Sequence, residues 1–273
     1  MPPPLGLSLF QGNAGSGGAR RPRLLRRRPK QERSRRRAAA LRYEYWVEWP
    51  ASREDLIEWQ RSLGAAASPL WRPPAGGYAI GGCFVCFPRG GYGAGEAGDP
   101  AWAAACVQVD GRTVACAVRD GEAGAAYTPG LLALREGPLL EAVVRGLPRR
   151  PDVLLVNAGG QDHPRRAGLA TELGAVLDLP SVGVTHRPLI AVGDWPADCR
   201  GASSPLRVEG SEVGAWLRVC RGVRPLAVHP AWRTDVAIAA AVVLAATRDA
   251  RTPAPLREAR RLARVARARG FHP

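Results

Sequence analysis

Asp152-Val153-Leu154-Leu155-Val156-Asn157-Ala158-Gly159-Gly160-Gln161-Asp162-His163-Pro164-Arg165-Arg166 decides how this chain folds. The run from Val153 to Val156 is continuously apolar and too short for a helix. It reads as a strand buried on both faces, as strands of a parallel sheet are. The glycine pair then turns the chain, and Pro164 opens a helix predicted to reach Leu177. A strand, a glycine turn and a helix form the repeating unit of an open α/β sheet. Such sheets place their sites at the carboxyl ends of their strands, so residues 157–166 are the first place to look for chemistry.

Outward from that stretch the pattern is consistent. On the N-terminal side, Ser52 followed by Glu54 and Asp55 predicts a capped helix running to about Gly64. Residues 78–87, 101–110 and 113–119 read as three strands, with Asp110-Gly111 as a tight hairpin between the last two. The glycine-rich segment from Pro88 to Pro100 is expected to be a mobile loop. Pro129-Gly130 opens an apolar helix to about Leu147. Beyond the deciding stretch come a strand at Ser181–Val184, a β-rich stretch from Leu206 to Val228, and helices near 233–248 and 255–268. Three antiparallel strands followed by alternating helix and strand is the ribonuclease H-like order. The expected fold is therefore α/β, a central mixed sheet flanked by helices.

Charge is unevenly placed. The 273 residues carry a formal charge of +15, yet residues 20–42 hold twelve basic side chains and one acid, a net +11. The other 250 residues share the remaining +4. Lys30 is the one lysine, and the abundance of Arg, Ala, Gly and Pro is partly compositional bias. A like-charged block with few apolar residues cannot offset its ordering entropy, so residues 1–42 are expected to form a disordered arm before a domain spanning 43–273. Two readings of the arm stand: a nucleic-acid-binding arm, or a solvated tail or sequence upstream of the true start. No run of 18 apolar residues exists, which argues against a membrane span. No apolar stretch follows the N-terminal charges, which argues against a secretory signal. The cysteines Cys83, Cys86, Cys106, Cys116, Cys199 and Cys220 lie mostly in apolar strand-like runs, as buried thiols in a reducing cytoplasm do. A zinc site from the first four is the minor reading, because Cys83 and Cys86 would point to opposite faces of one strand.

Several motifs carry a resemblance. Residues 127–138, Tyr127-Thr128-Pro129-Gly130-Leu131-Leu132-Ala133-Leu134-Arg135-Glu136-Gly137-Pro138, closely resemble the segment after the third strand of the endonuclease V family. Residues 157–169 resemble its Asp-Gly-x-Gly-x-x-His-Pro-Arg-Arg-x-Gly-Leu motif, and Leu177–Val184 resembles its next strand. His229-Pro230-Ala231-Trp232-Arg233 stands where that family has Ser-Pro-Gly-His-Arg. Order and spacing agree from roughly Trp49 to Arg264. The resemblance implies a ribonuclease H-like fold and metal-dependent cleavage of DNA or RNA on the 3′ side of a deaminated base, typically inosine. It also implies Mg²⁺ as cofactor, held by hard oxygen ligands and activating water.

Against that pattern the candidate catalytic positions depart. Phe84 stands where the first metal-binding aspartate belongs, and a phenyl ring offers no ligand. Asn157 replaces the second aspartate; its amide oxygen coordinates weakly and carries no charge. Glu136 matches the family's glutamate, so three carboxylates fall to one. His186 replaces a lysine expected at the phosphate, and Trp232 replaces a histidine. The base-reading elements match better: Tyr127 and Pro129 as a wedge filling the gap left by an extruded base, and Gly160 and His163 as the base-pocket turn. Ala158 replaces a glycine there. Arg165 and Arg166 match the basic pair at the phosphate.

Three functions follow. The first is a monomeric cytoplasmic binder of DNA or RNA at deaminated or distorted bases whose phosphodiester cleavage is weak or lost. The second is a nuclease with a rebuilt Mn²⁺ or Zn²⁺ site of Glu136, Asn157, His186 and Asp235, since those ions accept imidazole. The third is a non-catalytic scaffold for a protein partner.

Overall fold

The computed structural model describes residues 49–90 and 93–270; the arm assigned to residues 1–42 lies outside them. Helix α1 (Arg53–Ala65) is capped by Ser52, whose hydroxyl accepts the Asp55 N–H, with Glu54 and Asp55 in the first turn. Both features complement the partial positive charge of a helix start. Strands β1 (Ile80–Cys86), β2 (Pro100–Val109) and β3 (Arg112–Glu122) follow as an antiparallel meander. Asp110 and Gly111 join β2 to β3 with φ of 50° and 77°, the left-handed pair that a tight hairpin needs.

Helix α2 (Leu132–Arg145), β4 (Val153–Val156), α3 (Leu169–Leu177) and β5 (Ser181–Thr185) supply the α/β half. Strands β6 (Ser203–Val208), β7 (Ser211–Leu217) and β8 (Leu226–Pro230) follow, then α4 (Val236–Ala245) and α5 (Ala254–Arg269). All eight strands form one sheet in the order β3-β2-β1-β4-β5-β8-β7-β6. β4 runs parallel to β1 and β5, and the other neighbours are antiparallel. This is the mixed, helix-flanked sheet that the element order implied. Alternation along β4 divides the core: Leu154 and Val156 pack with α1, α2 and α3, while Val153 and Leu155 pack with α4 and Leu256 of α5.

Four expectations need correction. Helix α3 begins at Leu169, not Pro164, because Arg166 adopts a left-handed φ of 59° and the turn instead bonds Gly168 N–H to Gly160 O at 2.9 Å. Helix α2 likewise starts at Leu132, after Gly130 at φ 77°. The loop before β2 is tethered over its described residues 93–99. Tyr127 N–H donates to Ala94 O at 2.8 Å, and the buried Arg135 guanidinium holds Asp99 at 2.9 Å and Glu96 O at 3.2 Å. Finally, Cys106 and Cys116 are not free thiols. They sit directly opposite each other in the β2–β3 register and form a disulfide. Cys83 and Cys86 are buried on opposite faces of β1 in separate clusters, so the four cysteines do not converge on a zinc ion.

Candidate functional site

The carboxyl ends of β1 and β4 meet beside the N-terminal half of α2. Here two adjoining cavities share Tyr127, Leu132, Asn157 and Leu169. One, of about 200 Å³, is lined by Glu136, Asn157, Phe84 and Cys83. The other, of about 230 Å³, is lined by Asn157, Ala158, His163, Glu172 and Leu189. Tyr127 is 48% exposed at their common rim, so its ring is free to stack on a ligand.

Glu136 projects from the second turn of α2. Burial pushes its pKa up to about 7, and the nearby Arg135 opposes that only in part. Among the described residues no donor meets its carboxylate. Burial, and after it the same carboxylate, holds the Cys83 thiol far above its ordinary range. Asn157 is exposed at the end of β4 and half-buried Phe84 lies on β1. Over that ring sits the Arg260 guanidinium, 5.0 Å from its centroid. The donor set that remains is one carboxylate and one neutral amide, facing a ring that carries a cation on its other side. These residues do not fit Mg²⁺, which requires several hard oxygen donors in octahedral array. Among the described residues no group of three or more His, Cys, Asp or Glu side chains is placed to hold a metal ion.

His186 is exposed just past β5, and with Phe84, Asn157 and Arg260 it lines a crevice on the far side from Glu136. Burial, then the charges of Arg251 and Arg260, lower its pKa. Asp235 serves as N-cap of α4, accepting the Ile238 N–H at 2.7 Å, and lines neither cavity. Trp232 is buried among the residues under α3 and faces a separate cavity.

The second cavity has a rigid wall. His163 is 3% exposed; its Nδ1 accepts the Arg165 N–H at 3.2 Å, leaving Nε2 to donate to Gly130 O at 3.2 Å. Burial and Arg165 lower its pKa to about 4, so the ring is neutral and acts as a clasp on the turn that carries Tyr127 and Pro129. Arg165 does related work: Nη2 donates to Gly130 O at 2.7 Å and Nε to Gln60 Oε1. Arg166 faces the separate cavity behind the turn. Arg165 thus braces the turn, while Arg166 opens onto the cavity behind it. Gly160 is a close-packing position: a Cβ there would lie 2.3 Å from Pro230 O. Pro129 is exposed beside Tyr127.

Three groups that the sequence reading did not single out complete this wall. Asp162, fully buried, accepts the backbone N–H groups of Leu189, Ile190 and Ala191 and so fixes the loop after β5. His229, also buried, exchanges a 2.8 Å hydrogen bond with Thr185 Oγ1, and burial lowers its pKa to about 4. Glu172 on α3 accepts from Gln60 Nε2 at 2.8 Å while its Oε2 has no partner, and burial raises its pKa to about 8. Asp162 and His229 lay within quoted segments without being singled out; Glu172 gave no signal beyond being polar within an apolar run.

Comparison with known proteins agrees with the motifs. The endonuclease V family model matches residues 91–261. Endonuclease V of Streptomyces avermitilis is 36% identical over 80% of this chain and 93% of its own length. The crystal structure of that Streptomyces avermitilis protein superposes with a TM-score of 0.72 at 34% identity, covering 82% of this chain and 96% of that one. Endonuclease V of Ciona intestinalis, solved in complex with a 24mer DNA containing an inosine followed by a ribo-adenosine, superposes with a TM-score of 0.63 over 80% of this chain and 100% of that one. At 20% identity that last likeness is one of fold. The fold is ribonuclease H-like.

Proposed function

We propose, from the premise that this chain belongs to the endonuclease V family, that it binds nucleic acid at deaminated or distorted bases and cleaves the phosphodiester weakly or not at all. One observation carries the reading: Glu136 stands alone, with Phe84 and Asn157 at the two neighbouring ligand positions. A metal-assisted hydrolysis needs a cation firmly held beside the scissile phosphate, and one carboxylate that is half protonated near pH 7 binds it poorly. The recognition apparatus is better built. An exposed Tyr127 stands at the rim of a cavity of about 230 Å³ whose walls are pinned by His163, Arg165 and Asp162. Stacking of a base on such a ring contributes about 1–3 kcal/mol. DNA and RNA both present the base and backbone that this surface requires.

The test is a cleavage assay on inosine-containing DNA and RNA with Mg²⁺, Mn²⁺ and Zn²⁺ in turn, alongside an anisotropy measurement of binding. The expected result is measurable binding with little or no cleavage under any ion. Efficient cleavage that Glu136→Ala abolishes would sink the claim of impaired hydrolysis. The rebuilt-site alternative gains no support from geometry, since Asp235 caps a helix and His186 lies across Phe84 from Glu136.

A further inference from the structure

Where the family resemblance expects a metal, this chain has gathered cations of its own. Arg260, on the first half of α5, lies with its Cζ 5.0 Å from the centre of the Phe84 ring. A guanidinium over an aromatic face is held there by the ring quadrupole while its N–H groups stay free for another partner. Around it, His186, Asn157, Thr252 and Pro253 line the same crevice. Arg251 stands close enough that its charge, with that of Arg260, lowers the His186 pKa.

The partners of the arginines in this region differ. Arg261 is paired with Glu258 at 2.7 Å, and Arg267 donates to Phe87 O at 2.9 Å. Among the described residues Arg260 has no ion pair or hydrogen bond, and its guanidinium lies over the Phe84 ring. Arg251 donates through Nη2 to Pro225 O at 2.7 Å, while its Nε is buried without a partner. Glu136 lies beyond Phe84 in the adjoining cavity, and its carboxylate feels the charge of Arg135. Arg260 and His186 therefore line one opening, with Arg251 close enough for its charge to reach His186, and among the described residues no carboxylate lines that opening. Burying such groups unpaired is unfavourable, and an anion with several acceptor oxygens relieves it.

We propose that Arg260, Arg251 and His186, with the Asn157 amide, form a clamp for the phosphodiester backbone of a nucleic-acid strand that works without a divalent ion. The inference rests on the nucleic-acid reading given above and goes beyond it by replacing the metal's electrostatic role with side chains. Phe84 is then more than a lost ligand: its ring is the platform that positions Arg260.

The experiment titrates the full chain against a fluorescein-labelled DNA duplex with one inosine, by anisotropy, in EDTA and again in Mg²⁺. Unaltered protein is expected to bind equally in both. Arg260→Gln and Arg251→Gln are each expected to weaken binding about tenfold and to reduce the slope of log K against log salt by about 0.9. Arg257→Gln, exposed on the same helix, removes the same charge away from the crevice and is expected to weaken binding less than threefold. His186→Ala gives an independent reading should an arginine variant fail to fold, with an expected loss of about threefold. Binding that requires Mg²⁺, or that Arg260→Gln and His186→Ala leave unchanged, overturns the clamp alone. No binding by the unaltered chain in either buffer overturns the nucleic-acid reading and the clamp with it.

Discussion

Single residues in this site behave as their surroundings dictate, not as their type suggests. Glu136 and Glu172 are both held above the ordinary carboxylate range, at about 7 and about 8, with burial the leading cause in each. A carboxyl whose pKa rises on folding binds its proton more tightly in the folded state. Its cost to stability is therefore absent below the unfolded pKa near 4.5, builds as pH rises, and is complete above the folded value. Glu172→Gln keeps the shape and the Gln60 hydrogen bond but removes the titration. We expect it to melt with the native chain near pH 4.5 and above it at pH 8.5, the gap corresponding to roughly 1–4 kcal/mol. Thermal melts across that range check the sign; a gap that is widest at low pH would contradict it. The same substitution at Glu136 should show its gap already complete by about pH 8, since its folded pKa is the lower of the two. His163 works oppositely: with a pKa near 4 it is neutral above about pH 6, so it should contribute no titration to base recognition between pH 6 and 8.

At the scale of elements, what was legible was local. The β4 run, the Asp110-Gly111 hairpin and the Ser52 cap each announce themselves through residues adjacent in sequence, and each formed where expected. What was hidden depends on partners far along the chain. Arg135 looks like an ordinary helix cation, yet it is 7% exposed because Asp99, Ala125 O and the Phe87 ring come to it from other segments. Arg135→Ala removes three hydrogen bonds and that ring contact. It should cost about 2–3 kcal/mol and free the segment that holds Tyr127 N–H, seen as a lower melting temperature and faster proteolysis near residue 95. Arg260 over Phe84 was equally invisible, since no spacing rule links a C-terminal helix to the first strand. Gly160 was read as part of the base pocket from its place in the motif. Its need for glycine, however, comes from Pro230 O at the end of β8. Gly160→Ala should therefore destabilise the fold by about 1–3 kcal/mol through overpacking, measured by denaturant midpoint. An unchanged midpoint with altered base preference would instead return Gly160 to a contact role.

Across the whole molecule, charge and shape are divided between regions. The described residues carry the cavity, the exposed Tyr127 at its rim and the Arg260 crevice. Residues 20–42 carry net charge +11 against +4 for all the rest, and no geometry is needed for that charge to attract a polyanion. Long-range attraction and base selection should then be separable. Each phosphate neutralised adds about 0.9 to the salt slope without distinguishing one base from another. Removing residues 1–42 is therefore expected to flatten the dependence of log K on log salt by several units between 50 and 200 mM, while the ratio of affinities for inosine-containing and unmodified DNA stays within about twofold. Anisotropy titrations of the two chains on both duplexes measure the slope and the ratio together. A slope that does not change assigns the arm no part in binding. A ratio that collapses places base selection outside the Tyr127 cavity, in residues 1–42 themselves.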